Sequence, residues 1–363
     1  MSRSFTFLHI GDCHLGYRQY GFNVREDDGE AAVSRVVDLA IELKVDAMLW
    51  PGDVFDSPSP SARSVFFLYR AVERLRQAGI ESIGIDGNHD AADGRWLRIC
   101  GMRTFDAVPV LAQHNFDIAG LNYRRPKETI AAIEQLAATG RKLDVLMLHQ
   151  PLGDMVAFGS EITAEWLAKT FKPLGVRYVA LGDIHDFLIR EIDGVTFLYP
   201  GSVEMTDIDE QADKKCVRVQ LADDGPPQIT YYSIPTRKIV RYEVKTDEDF
   251  TRMMADVRER QGLVLPVVTV DTSLIGGVER VQSALGGEIP HRLMRSADAV
   301  ALKQQFTDPE WDRKGSIVDL KSAVAEAYPE TTEEHQLILH LLSDWKNATH
   351  LAKEYLTKKG VTL

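Results

Sequence analysis

Short apolar runs alternate with segments of helical periodicity over residues 5–234: a run at 5–10, a helix near 29–43, a run at 47–50, a helix near 61–79, and further runs at 82–85, 145–148 and 178–181. This alternation predicts layered sheet with helices outside it. Asp193-Gly194 separates the runs at 187–192 and 195–199 and predicts a hairpin. The runs at 216–221 and 229–234 also read as extended, so the sheet system is expected to be mixed. Pro235 and Thr236 mark a boundary. Beyond it a strand at 241–245, a helix at 247–261, a strand at 267–272 and a helix near 278–285 predict a small α+β unit. From about Thr307 the chain reads as helical and polar, with Leu337, Ile338, Leu341, Leu342 and Trp345 on one apolar stripe.

Composition narrows the class without fixing it. At 363 residues, 44% hydrophobic and 26% charged, the chain fits an ordinary globular protein with a core large enough to enclose a water-excluding site. No apolar run reaches the length of a membrane span, and residues 1–7 lack a signal-peptide layout, so a cytoplasmic protein is expected. The cysteines, Cys13, Cys100 and Cys216, are at no metal-like spacing and suit a reducing compartment. A net charge of −12 excludes nucleic-acid binding by bulk electrostatics, so any such ligand has to be held by bound metals and local basic patches.

The candidate chemistry sits where the apolar runs end. Five of them lead directly into metal-ligand side chains: Asp12-Cys13-His14, Gly52-Asp53, Gly87-Asn88-His89-Asp90, His149, and Gly182-Asp183-Ile184-His185. In layered α/β proteins ligands collect beyond the strand ends, so these clusters are expected to meet in one crevice. Asp12 and His14 are two apart on an extended segment and project together, whereas Cys13 projects the other way, into core. Oxygen and imidazole donors without thiolate suit manganese, iron, magnesium or zinc, and a carboxylate such as Asp53 can bridge two ions. A pair of ions roughly 3.5–4 Å apart can clamp both oxygens of an in-line displacement at phosphorus.

In order and spacing these motifs resemble those of calcineurin-like metallophosphoesterases. The segments His14-Leu15-Gly16-Tyr17, Asp56-Ser57-Pro58-Ser59-Pro60 and Tyr199-Pro200-Gly201-Ser202 are similar to those of the SbcD branch of DNA-repair nucleases, bacterial relatives of the meiotic-recombination-eleven nuclease. The resemblance implies an α/β (α+β) fold: a metallophosphoesterase β-sandwich flanked by helices over residues 1–234, a small capping domain over 235–305 and a helical tail over 306–363. It implies that Asp12, His14, Asp53 and His185 hold one divalent ion and Asp53, Asn88, His149 and Asp183 the other, most simply Mn²⁺ or Mg²⁺. A hydroxide between the ions would attack phosphorus, His89 would protonate the leaving oxygen, and Asp90 would orient or charge-stabilise His89. The family usually has histidine where this chain has Asp183, which exchanges a neutral nitrogen donor for a charged oxygen and favours harder ions.

The same resemblance implies a 3′-to-5′ double-strand exonuclease and single-strand endonuclease, acting as a homodimer with an SbcC-type coiled-coil ATPase that docks on the tail. Tyr17 and Arg18 are candidate DNA contacts, with Arg124, Arg125 and Lys127 a second basic group. His9, His114, His291, His335, His340 and His350 fall outside the motifs and are read as structural or solvated. Two other functions share the metal core: a phosphodiesterase or phosphatase for small molecules, and a DNA-end-binding scaffold whose site has decayed at Asp183.

Overall fold

In the computed structural model, which describes residues 4–296 apart from 93, 106–109, 114–115, 158–159, 211–212, 224, 261–262 and 288, the first apolar run is a strand covered on both faces. The chain begins with β1 (Ser4–His9), α1 (Asn23–Leu43), β2 (Ala47–Pro51), α2 (Ala62–Gln77), β3 (Glu81–Ile85) and the short α3 (Arg95–Ile99). It continues through β4 (Val110–Gln113), β5 (Phe116–Leu121), α4 (Pro126–Ala138), β6 (Val145–His149), α5 (Ala164–Phe171) and β7 (Tyr178–Gly182). Then come β8 (Leu188–Ile192), β9 (Val195–Tyr199), β10 (Lys214–Ala222) and β11 (Gln228–Ile234). The unit that follows comprises β12 (Lys238–Val244), α6 (Asp247–Glu259), β13 (Val264–Val270), α7 (Gly277–Leu285) and β14 (Arg292–Arg295).

Two sheets form a sandwich, one ordered β11-β10-β1-β2-β3 and the other β4-β5-β6-β7-β9-β8. Phe5, Phe7, Leu49 and Ile83 from the first sheet and Val145, Met147, Tyr178 and Leu198 from the second share the core between them. The outer face of the first sheet buries Leu8, Met48 and Trp50 against Val33, Val37, Leu68 and Leu75 of α1 and α2. The second sheet does the same with Ile133 and Leu136 of α4 and Leu167 and Phe171 of α5. Burial on both faces explains why β2, β6 and β7 are continuous apolar runs rather than alternating ones. The edge strand β8 alternates half-buried and exposed positions instead.

The mixed character expected from the sequence is present. β1, β2 and β3 pair in parallel, as do β5, β6 and β7, while β10 runs antiparallel to β1. The 193–194 hairpin joins antiparallel β8 and β9, with both turn residues at positive φ as a tight primed turn needs. Beyond Ile234 a parallel sheet, β12-β13-β14, packs its own apolar set, including Met253, Val257, Val268 and Val281, under α6 and α7. A Thr246–Asp249 capping box starts α6. The apolar stripe at Leu337–Trp345 and the tail as a whole lie outside the described residues, as do His114, His335, His340 and His350. No helix among the described residues is long and apolar enough to cross a membrane.

His9 is structural: it is buried between the sheets, where Nδ1 meets the Tyr178 hydroxyl at 2.8 Å. Burial drives its imidazole down to about 3, so it stays neutral in the folded protein while the unfolded chain protonates it near 6.5. The unfolded state therefore binds the extra proton between those values, and stability falls as pH drops from 6.5 towards 3, by up to about 1.4 kcal/mol per pH unit. His9→Gln, which keeps a polar group for Tyr178, is expected to flatten the acid limb of the stability curve by one proton's worth in urea titrations. A slope equal to that of the wild type would show that His9 is charged when folded.

Candidate metal centre

Parallel pairing places the carboxyl ends of β1, β2 and β3 side by side, and those of β6 and β7 opposite them, so five strand-end segments face one another. All seven expected ligands come from these ends. Nε2 of His14 and Nε2 of His185 are 3.1 Å apart, and His14 Nε2 is 3.8 Å from Asp53 Oδ2. On the other side His149 Nε2 lies 3.0 Å from Asn88 Oδ1, 3.3 Å from Asp53 Oδ2 and 3.6 Å from Asp183 Oδ1. Asp53 thus stands between the two groups, as a bridging carboxylate should. Asp12, His14 and His185 bring donor atoms close enough together to share one ion, and so do Asp12, Asp53 and His149.

The backbone is bent to achieve this. His14, Asp53 and Asp183 all have positive φ, of 44°, 48° and 93°, a conformation that costs an L residue about 1–2 kcal/mol. Hydrogen bonds hold the bends: Cys13 N and His14 N donate to Asp53 O at 2.9 and 3.0 Å, and Asp183 N donates to Asp12 Oδ1 at 2.9 Å. Two glycines are required by close approach. A Cβ on Gly87 would sit 2.1 Å from Asp53 Oδ1, and one on Gly52, at φ 100°, would sit 2.3 Å from His149 Nδ1. Cys13 is buried with its thiol on Gly11 O at 3.2 Å, and burial pushes that thiol well up, so it belongs to the core.

These residues fit a pair of divalent cations. Asp12 Oδ2 is buried without a hydrogen-bond partner, an arrangement that a cation would satisfy. His149 Nδ1 meets Pro51 O at 2.8 Å, which fixes the proton there and leaves Nε2 to face Asp53 and Asn88. The charges say the same: burial opposes a proton on His149, but Asp53, Asp12 and Asp183 outweigh it and push the imidazole up to about 10. Burial likewise opposes ionisation of Asp53, and His149 and His14 hold its carboxyl well below the usual range. Asp183 is raised, by burial first.

His89 lies against this centre, with its ring 4.7 Å from that of His14 and perpendicular to it, and is half exposed. Its Nδ1 is 3.2 Å from Asp56 O and 3.6 Å from Asp56 Oδ1, and the same carboxylate is 3.3 Å from His14 Nδ1. Among the described contacts, then, the acids facing the His89 ring are Asp56 and Asp53 rather than Asp90. Asp90 accepts from Val54 N, Phe55 N and Gly87 N at 2.7, 3.1 and 2.6 Å and ties the second motif to the third. Burial, with the charges of Asp53 and Asp86, raises its carboxyl to about 7.

Tyr17 donates to Thr206 O at 3.3 Å, and Arg18, half exposed, pairs with Glu26 at 2.7 Å. Arg124 and Arg125 are exposed on the segment before α4, just after Tyr123, whose ring stands edge-on to His149 at 6.2 Å. His291 bonds Ile289 O and packs against Phe22, away from the motifs. Sequence reasoning missed Asp56 as a neighbour of both histidines, although it lies three residues beyond Asp53 in the same motif. It also missed Glu210, whose Oε1 is 2.9 Å from His185 Nδ1. Glu210 lies in no ligand motif, and only folding brings it to the site.

A family model described as calcineurin-like phosphoesterase matches residues 5–187. The chain is 28% identical over 297 residues to the DNA double-strand break repair protein Mre11 of Methanosarcina mazei, covering 75% of this chain and 46% of that one. It is 30% identical over 201 residues to the protein of the same name from Sulfurisphaera tokodaii, covering 52% and 50%. To the uncharacterized metallophosphoesterase YhaO of Bacillus subtilis it is 27% identical over 370 residues, covering 95% of this chain and 82% of that one. The chain therefore spans about half the length of the two repair proteins.

A cation held by His149 would need its imidazole neutral, so binding there would displace the proton held up to about pH 10. Affinity for Mn²⁺ is expected to rise with pH, up to about tenfold per unit, with release of about one proton from this group, read by calorimetry in buffers of different ionisation enthalpy. In metal-free protein the sign reverses: the raised pKa stabilises the fold fully below 6.5, and that contribution is lost as pH rises towards 10. Binding independent of pH, with no proton released, would remove His149 from the ligand set.

Proposed function

From the premise that the chain belongs to the calcineurin-like phosphoesterase family, we propose that it is a metal-dependent nuclease that hydrolyses DNA phosphodiesters. The observation that carries the proposal is the convergence of Asp12, His14, Asp53, Asn88, His149, Asp183 and His185 around the central Asp53 carboxylate, with His89 beside them. Similarity to two DNA double-strand break repair proteins supports DNA as the substrate. Asp12, His14, Asp53 and His185 are assigned to one ion, and Asp53, Asn88, His149 and Asp183 to the other. The pair of divalent cations supplies Lewis-acid polarisation of the phosphate and lowers the pKa of water to give a nucleophile at neutral pH.

The protein's own groups supply orientation and the proton. With Nδ1 of His89 donating to Asp56 O, Nε2 is the ring nitrogen left to pass a proton to the leaving sugar oxygen. Asp56 Oδ1, 3.6 Å from Nδ1, helps fix the orientation of the ring. Asp90 sets the loop that carries His89 by clamping three backbone N–H groups. Tyr17, Arg18 and the Arg124–Arg125 pair are the groups assigned to the DNA backbone. The finer assignments are that residues 235–305 form a capping domain that binds DNA, that Mn²⁺ is the working ion, and that an SbcC-type ATPase binds the tail of a dimer with exonuclease and endonuclease action.

His89→Ala is expected to lower Mn²⁺-dependent cleavage about 10²–10⁴-fold while leaving Mn²⁺ stoichiometry unchanged. Cleavage at the wild-type rate would remove the acid. A panel of duplex DNA, single-stranded DNA, a cyclic nucleotide and an aryl phosphodiester is expected to show turnover of DNA above the small substrates. Turnover of the small substrates alone would replace the nuclease by a small-molecule phosphodiesterase. Asp183→His is expected to shift the preference from Mn²⁺ and Mg²⁺ towards softer ions, measured as relative affinity. A large gain in cleavage over an inert wild type would instead identify a decayed scaffold.

A further inference from the structure

His149 and His185 face the metal centre alike through Nε2, yet the groups behind them differ. His149 Nδ1 meets a neutral backbone carbonyl, Pro51 O, whereas His185 Nδ1 meets the carboxylate of Glu210 at 2.9 Å and, at 2.8 Å, the Thr206 hydroxyl that itself donates to Glu210. Glu210 is built in rather than incidental. Its Oε1 accepts from Asp207 N at 3.0 Å and from the Thr206 hydroxyl, and its Oε2 accepts from Ser202 Oγ and Thr206 N, each at 3.2 Å. Lys214 Nζ pairs with Oε2 at 2.5 Å and reaches on to the carbonyl of His185 itself at 3.0 Å. The Lys214 side chain is 3% exposed and that of Glu210 is 9% exposed, so the pair is shielded from water. A buried ion pair of this kind costs desolvation free energy, so it is weak as a stabiliser and better accounted for by what it positions.

We infer that Glu210, held by Lys214, is the positioning residue for His185: it keeps the proton on Nδ1 and turns Nε2 towards the ion shared with Asp12, His14 and Asp53. A carboxylate behind an imidazole fixes its tautomer and makes it a stronger donor, and a carbonyl does so less. The two ions are therefore bound unequally, with a charged anchor behind one and a neutral anchor behind the other. The inference rests on the two-ion reading above and goes further by making one ion depend on a residue outside every ligand motif.

The test is Mn²⁺ binding to the full chain, followed by the electron paramagnetic resonance of free Mn²⁺, with no substrate present. The wild type is expected to take two ions. Glu210→Ala is expected to hold one as the wild type does and the other about 10–100-fold more weakly, the weakened site being the one lost in His185→Gln. Glu210→Gln, which keeps an oxygen for Nδ1 and for Thr206, is expected to weaken the same site several-fold, and it decides the question if the alanine variant fails to fold. Equal loss at both sites would mean that Glu210 is merely structural, and unchanged binding in both variants would mean that it does not act on His185; either result overturns the inference. A wild type that takes fewer than two ions overturns the two-ion reading itself, and the inference falls with it.

Discussion

Buried like charges that need an opposite charge between them are the constraint on which the rest of the structure depends. Asp12, Asp53 and Asp183 converge on His149 from different strand ends, each within 3.8 Å of its ring, and carboxylates gathered this way are held together by cations or protons among them. In the absence of cations the fold resolves the conflict with the proton that His149 retains up to about pH 10. Everything around the cluster prevents the easier relief of moving apart. The positive φ angles at His14, Asp53 and Asp183, the bonds from Cys13 N and His14 N to Asp53 O, and the contacts that no Cβ on Gly52 or Gly87 would permit all hold the donors in place. Backbone strain persists only where surrounding structure over-determines it, and here it coincides with the ligands.

The ligand motifs were legible in the sequence because parallel strands translate a linear recurrence into a spatial one. Each run that ends in Asp, Asn or His is a strand whose carboxyl end opens on the same crevice, so the order of motifs needed no distance information. What the sequence hid is what depends on distant pairing. Asp90 adjoins His89 in the chain, yet its carboxylate is taken by the N–H groups of Val54, Phe55 and Gly87, and Asp56, an acid beside the His89 ring, comes from the preceding motif. Helix α1 begins at Asn23, six residues before the periodic pattern does, because its first turns carry ion-pairing rather than apolar side chains. Strands β4 and β5 and helices α4 and α5 stood apart from any ligand motif, and only the completed second sheet and its outer layer reveal them.

Those early turns of α1 show how charge remote from the metal centre still bears on it. Arg25 is buried and donates to Gln19, Asp28, Glu204 and the carbonyl of Met205, so it ties the segment after β1 to the segment after β9. Asp28 is shared with Arg237, whose two bonds of 2.7 Å come from the residue just before β12. Removing one partner of such a buried pair typically costs about 3–5 kcal/mol, because the other charge is left without compensation. The segment that Arg25 holds runs on from Met205 into Thr206, and Thr206 bonds both His185 Nδ1 and Glu210. A run of contacts therefore links an arginine on the first helix to an imidazole 160 residues later, through the Met205 carbonyl and the Thr206 hydroxyl. The metal ligands were recognisable as a motif because they act on one point directly. Arg25, Asp28 and Glu210 meet the surrounding segments through other side chains and carbonyls, and no spacing in the sequence encodes that.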